Sequence, residues 1–177
     1  RLPVLVGFFV VFLIVPLIFI LWGAKDLSSN SKALIAAYKG GNFENLKKET
    51  QATRGSLQKI DLSLNFLFWM RIIPFAGGYY LDAKGFSSAG SEELIALEKI
   101  ITNLEPSKEE LGFKGQPIDG QDRVSQAIKI LEKTLPILEK VQGNLEKAGK
   151  LVSNIDTNKY PENFKNIKVR SLLTLAK

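Results

Sequence analysis

Residues Leu2 to Trp22, LPVLVGFFVVFLIVPLIFILW, form 21 consecutive positions without a charged side chain. A helix needs about 20 apolar residues to cross the ~30 Å hydrocarbon core of a bilayer. Such a run has little use in water, so the sequence predicts an N-terminal transmembrane helix over residues 1–23. A cleaved signal would have a shorter apolar core followed by small residues. Here the core is long and Trp22 stands where an interfacial anchor belongs. Pro16 is tolerated inside a membrane helix. The run therefore reads as an uncleaved anchor. Its orientation does not follow from its flanks, Arg1 on one side and Lys25, Asp26 and Lys32 on the other.

The residues that follow, 24–177, have room for one ordinary domain with its own core. The chain has no cysteine and no histidine. Disulfides, thiolate nucleophiles, Cys/His zinc sites and histidine base catalysis are thereby excluded. The net charge of +6 comes from Lys and Arg interleaved with Glu and Asp. Nucleic-acid binders show clustered basic patches with aromatics, so no nucleic-acid partner is expected. The chain opens on Arg1 and ends at Lys177 within SLLTLAK, and it reads as a piece of a longer protein.

Beyond Gly23 the pattern stays helical. Leu27, Ser31, Leu34 and Tyr38 share one stripe. Gly40-Gly41 stops that helix, and Asn42 caps the next, with Glu44 in its first turn. The second helix is expected from Phe43 to Ile73, polar in its first half and apolar from Leu57 onward, ending before Pro74. A turn so short makes the two helices antiparallel. At ~1.5 Å per residue the second helix returns to membrane level near Leu57. The aromatic segment beyond it then meets the bilayer surface or dips into it. Trp22, Phe66, Phe68, Trp69, Arg71, Phe75, Tyr79 and Tyr80 are the candidate membrane-interface residues. The competing expectation is that these side chains fill the core of the helical domain.

A third helix is expected from Tyr80 to Leu104, weakened at Gly85 and Gly90 and closed by Pro106. Residues 107–120 read as a loop. A fourth helix, Gln121 to Ile155, repeats Leu-Glu-Lys every seven residues. Val124, Leu131, Leu138, Leu145 and Val152 occupy one heptad position, with Ile128 and Leu135 on the other. This is a coiled-coil seam, read as packing within the bundle in preference to self-association. Pro136 falls on its outer side. A last helix starts at Pro161 and carries Phe164, Ile167, Val169, Leu172 and Leu173. The expected fold is all-α: the anchor, then an elongated antiparallel bundle of coiled-coil-like hairpins.

No catalytic constellation emerges. Gly149-Lys150 lacks the other residues of a phosphate loop. Asp119 and Asp122 lack calcium-loop spacing. Glu92-Glu93 and Glu109-Glu110 are adjacent and do not converge on one helix face. No catalytic residue, cofactor or metal is therefore expected, and the segment is not read as an enzyme.

The stretches RIIPFAGGYYLDAKGFSSAG (71–90), LGFKG (111–115) and NKYPENF (158–164) follow the N-terminal span in order. Together they resemble the bacterial membrane proteins of domain of unknown function 4012. The resemblance implies a single-pass cell-envelope protein whose bulk lies outside the cytoplasm, with a larger domain after the present chain. It transfers no functional residue. The expected function is a membrane-anchored helical stalk or scaffold of the cell envelope, with the lipid bilayer as partner. A second copy, other envelope proteins or envelope polysaccharide are the further partners it leaves open. Two alternatives are a sensory ectodomain, and the anchor of a polysaccharide-related enzyme or binding domain lying beyond residue 177.

Overall fold

The computed structural model describes residues 2–108 and 120–161, without the side chains of 2–6, 8–10, 13, 120–124, 126, 127 and 130. All regular structure among the described residues is helical: α1 (Leu2–Lys39), α2 (Phe43–Phe66), α3 (Ala76–Leu104) and α4 (Gly120–Ser153). Helix α2 packs between α1 and α3, and α4 packs on α3. The expected loop around 109–119 and the last helix after Pro161 lie outside the described residues.

Helix α1 is one element of 38 residues, about 57 Å long at ~1.5 Å per residue. It runs unbroken through Gly23, so the division expected there falls inside a single helix. Its stop is the predicted one. Gly41 takes φ +61°, which glycine adopts without steric cost. The Asn42 side chain then accepts from the Asn45 backbone N–H at 2.9 Å and caps α2. The two helices lie antiparallel. Asn30 of α1 donates to Ser56 Oγ of α2 at 2.9 Å, and Asp26 pairs with Lys59 at 3.2 Å. Further down, Gly23 meets Ile60: a Cβ on Gly23 would lie 2.7 Å from Ile60 Cγ1. The return to the level of Trp22 thus falls at Ile60, three residues beyond the Leu57 expected from length.

The first half of α2, read from sequence as polar, in fact supplies a buried stripe. Thr50, Thr53 and Ser56 are buried, and Ser63 continues the stripe in the second half. Each hydroxyl donates to the carbonyl four residues back. That satisfies the oxygen locally and lets helices approach over small side chains.

Helix α2 ends at Phe66, earlier than the expected Ile73, and residues Phe68–Ile72 tighten into a 3-10 helix. The amides of Leu67, Met70 and Ile73 bond to carbonyls three residues back. Ile73 is extended at φ −82°, ψ 125°, because Pro74 bars it from the helical region. Phe75 then takes φ 69° and the chain reverses into α3. Gly77 makes this reversal possible: a Cβ there would sit 2.5 Å from the Arg71 carbonyl oxygen. Helix α3 begins at Ala76, not Tyr80, and passes Gly85 and Gly90 without a break. Packing against α2 and α4 outweighs the ~1 kcal/mol helix cost of each glycine. Its end at Leu104, before Pro106, matches expectation.

Two apolar clusters hold the bundle. Leu64, Leu67 and Tyr80 are joined at the base by Ile20, Ile60, Trp69, Met70 and Ala83. Ala89, Ala148 and Val152 join α3 to α4. Between and above them, charged pairs cross the helix seams: Lys47–Glu105 at 2.7 Å, Arg54–Glu98 at 2.5 Å and Lys84–Asp61 at 2.6 Å, with Lys147–Glu92 on α4 and α3.

Candidate functional site: the base of the bundle

At the base, several aromatic residues gather that the apolar cluster leaves exposed. Trp69 packs its ring 6.4 Å from Phe12 of α1, so the α2–α3 turn reaches ten residues below Trp22 along the apolar run. Around it, Phe66 and Phe68 are each 62% exposed and Phe75 is 94% exposed. Ile72, Leu62 and Tyr79 are exposed as well. On α1 the exposed apolar residues continue from Val11 through Phe19 to Trp22. An apolar groove between Val15 and Phe19 of α1 and Leu62 and Phe66 of α2 makes the two surfaces continuous. From Phe66 to Leu81 the only charged residue is Arg71, and it too is exposed. Isolated exposed apolar residues are ordinary, but a contiguous band of this extent marks an interaction surface.

The eight interface candidates divide. Trp22, Phe66, Phe68, Arg71, Phe75 and Tyr79 lie on the exposed band. Tyr80 does not: it is buried among Leu64 and Leu67. Trp69 is half-buried against the same cluster. Adjacent residues of a helix point about 100° apart, so the Tyr79-Tyr80 pair splits between surface and core.

Beside this face lies a polar cluster that sequence reading missed. Asp82, buried on α3, pairs with Lys159 at 2.7 Å and accepts from the Tyr160 hydroxyl at 2.8 Å. The Lys159 ammonium also stands 5.4 Å from the Tyr79 ring centre and 5.7 Å from that of Tyr160. The two rings meet edge to face at 5.3 Å. Gly78 leaves room for the cation, since a Cβ there would lie 2.9 Å from Lys159 Nζ. Burial, then the hydrogen bond to the Asp82 carboxylate, pushes the Tyr160 hydroxyl well above the usual tyrosine range, so it stays protonated as a donor. The cluster is a closed latch with its charges matched, and it offers no free nucleophile or base. It joins GGYYLDA to NKYP, two of the stretches on which the family resemblance rests. The motifs were visible in sequence, but their pairing across nearly eighty positions was not.

The heptad seam on α4 is not the buried stripe. Ile137, Val141, Ala148, Val152 and Ile155 are buried. Of the predicted seam, Val152 belongs to this set and Leu145 is half-buried. Ile128, Leu131, Leu135 and Leu138 are exposed, and the side chain of Val124 lies outside the described residues. The expected packing of the seam within the bundle therefore fails for its first half. The reason is length. Lys133 of α4 meets Ser107, just past the end of α3, so the part of α4 before Lys133 projects beyond its partner helix. Below that point α4 presents a different face to α3. There Asn144 donates to Glu92 at 2.6 Å and accepts from Lys99 at 2.8 Å.

Among the described residues no helix is long and apolar enough to cross a membrane, and no group of acidic side chains is arranged to hold a metal ion. No family model matches the chain, and no curated protein or solved structure matches it significantly.

Proposed function

We propose that the chain is a membrane-anchored helical scaffold of the cell envelope, held in lipid by the Leu2–Trp22 run and by the α2–α3 turn beside it. The single observation that carries this reading is the continuous exposed apolar band from Val11–Trp22 across Phe66, Phe68, Ile72 and Phe75. Water would penalise that band at roughly 25 cal/mol per Å2. Lipid removes the penalty. The run has 21 uncharged positions, several of whose side chains lie outside the described residues, and as one helix it has the length a bilayer requires.

In this setting the turn descends about 15 Å below Trp22, at ~1.5 Å per residue. The segment is half-inserted beside the span and does not cross on its own. The amides of Leu67, Met70, Ile73, Ala76 and Gly77 find nearby backbone carbonyls, which lowers the cost of placing the turn in lipid. Arg71 snorkels its guanidinium toward head groups, and lipid thins locally around it. The envelope placement follows from the resemblance to the family of domain of unknown function 4012.

The route of the chain refines the stalk reading. Helix α4 brings Tyr160 back against Tyr79 at the base. The projecting end of α4 is the part of the bundle farthest from the membrane, and residue 161 leaves from the near end. The scaffold thus returns its chain to the membrane surface.

The test is sodium carbonate extraction of host membranes carrying the chain, followed by fluorescence of Trp69 in a Trp22→Phe variant with lipids brominated on their acyl chains. The chain is expected to stay in the membrane pellet, with Trp69 quenched. Release into the aqueous fraction would refute the anchor.

A further inference from the structure

Helix α4 carries an exposed apolar stripe that its own bundle leaves uncovered among the described residues. Ile128, Leu131, Leu135 and Leu138 are exposed, whereas Ile137, Val141 and Ala148 are buried on the side that meets α3. At ~100° per residue the stripe lies about 125° around the helix from that buried side. A second helix can therefore lie along it without displacing α3. Residues 162–177 fall short of most of it. As the helix expected from the sequence, those 16 residues would rise about 24 Å from the base. Leu131 stands 24 residues before Ile155, about 36 Å up α4 at the same rise.

The heptad register names an occupant. Ile128 and Leu135 take position a, and Leu131 and Leu138 take position d, with Pro136 at b, clear of the seam. A β-branched residue at a with Leu at d suits two parallel strands. The flanks agree. Glu132, Glu139 and Glu146 all take position e, while Ala127 and Thr134 take position g. In a parallel pair e of one helix faces g of the other, so each glutamate meets an uncharged residue. In an antiparallel pair e faces e, and the glutamates of the two copies would repel. The anchor makes the same choice. The helices alternate in direction, so α4 descends toward the membrane in every copy, and two copies in one membrane hold it parallel. We propose that two copies of this chain pair side by side in the membrane through a parallel coiled-coil seam on the upper part of α4, about a twofold axis along the membrane normal. The described seam spans only 11 positions, Ile128 to Leu138, so it is weak between free chains. Two anchors confine both copies to one plane with their seams at one height, which raises the effective concentration. In dilute detergent that confinement is gone and the stripe returns to water. The inference rests on the anchored reading above.

The chain has no cysteine, so one introduced thiol reports on one position. Leu131→Cys, Leu138→Cys and, outside the seam, Lys140→Cys would each be made in the full chain, oxidised in host membranes and run on a non-reducing gel. A disulfide-linked dimer is expected for both Leu131→Cys and Leu138→Cys, because in a parallel pair every seam position faces its own copy. None is expected for Lys140→Cys, which is exposed on another side of α4. Adding Leu135→Lys to Leu131→Cys is expected to abolish the dimer. A chain retained in membranes that forms no dimer at either seam position overturns the proposal. So does a dimer at only one of them, which an antiparallel pair would give, or an equal yield at Lys140→Cys, which marks random collision. An adduct of Leu131→Cys with a different envelope protein, in place of the dimer, overturns it as well. Carbonate extraction reads the anchor separately. A retained chain without the dimer defeats the pairing alone, whereas a chain released from membranes defeats the anchor and with it the alignment of the two copies.

Discussion

Two surfaces of this molecule expose large apolar side chains, and they differ in what surrounds them. At the base, Phe66, Phe68, Ile72 and Phe75 sit in a stretch whose only charge is Arg71, and they continue onto the apolar face of α1. On the outer stripe of α4, Ile128, Leu131, Leu135 and Leu138 are also exposed, but Glu132, Lys133, Glu139 and Lys140 border them at every turn. A wide band whose one charge is Arg71 is costly to expose to water. A narrow stripe edged by Glu and Lys is an amphipathic helix surface that water tolerates. Exposure alone does not separate a lipid-facing surface from a water-facing one, and the charges around the exposed residues do.

The largest effect that sharpens this comparison lies within α4. Ile137→Ala, in the buried half, is expected to cost about 2–5 kcal/mol. Leu131→Ala, six residues away on the exposed stripe, is expected to stay within about 0.5 kcal/mol. Urea unfolding in detergent measures both, and equal costs would mean the upper stripe is buried in the working molecule. Next comes charge insertion. Phe68→Asp should cost about 2.5–3.5 kcal/mol if the side chain sits deep in lipid, seen as loss of Trp69 quenching by brominated lipid. Leu131→Asp should leave that quenching unchanged.

The latch beside the base comes third. Tyr160→Phe removes a hydrogen bond to the Asp82 carboxylate and is expected to lower stability by about 1.5–3 kcal/mol. A thermal melt unchanged by the substitution would show that NKYP does not fasten to α3.

The smallest effects concern two neighbouring carboxyls with opposite pH signatures. Lys147, and then Asn144, hold Glu92 below its usual value of 4.5. Its contribution is present above that value and is lost as pH falls through the lower folded one. Burial raises Glu93 above 4.5, so the stability present below that value is lost as pH rises through the higher folded one. At neutral pH, Glu92→Gln should lower the melting temperature and Glu93→Gln should raise it, and the two differences should shrink in acid. Shifts of the same sign at pH 7 would contradict the half-buried placement of Glu93 on α3.

How much of this was legible depends on whether the signal was local. The cap at Gly41 and Asn42 was readable because glycine's left-handed conformation and the Asx side chain act within three residues. The all-helical class followed from a 3.6-residue periodicity repeated along the chain. The antiparallel return of α2 to the level of Gly23 was predicted to within three residues because helical rise is nearly constant. The end of α2 at Phe66 was missed because apolar residues continue to Ile73, and only the reversal forced by Pro74 and Gly77 shows why the helix tightens early. The buried Thr50–Thr53–Ser56 stripe read as polar surface, since each hydroxyl finds its own helix carbonyl. The heptad on α4 was real as a pattern but silent about length. Among the described residues no helix lies beside its start, because α3 ends at Leu104. The Asp82–Lys159–Tyr160 latch joins residues nearly eighty positions apart, and no local rule reaches that far.

The α2–α3 turn offers the most direct measurement. In a chain with Trp22→Phe and Trp69→Phe, a single reporter placed by Phe68→Trp would be reconstituted with lipids brominated at graded depths. Strongest quenching by bromines within the hydrocarbon region is the expected result. A reporter quenched only by an aqueous agent such as acrylamide, in a chain still retained by the membrane, would contradict insertion of the base.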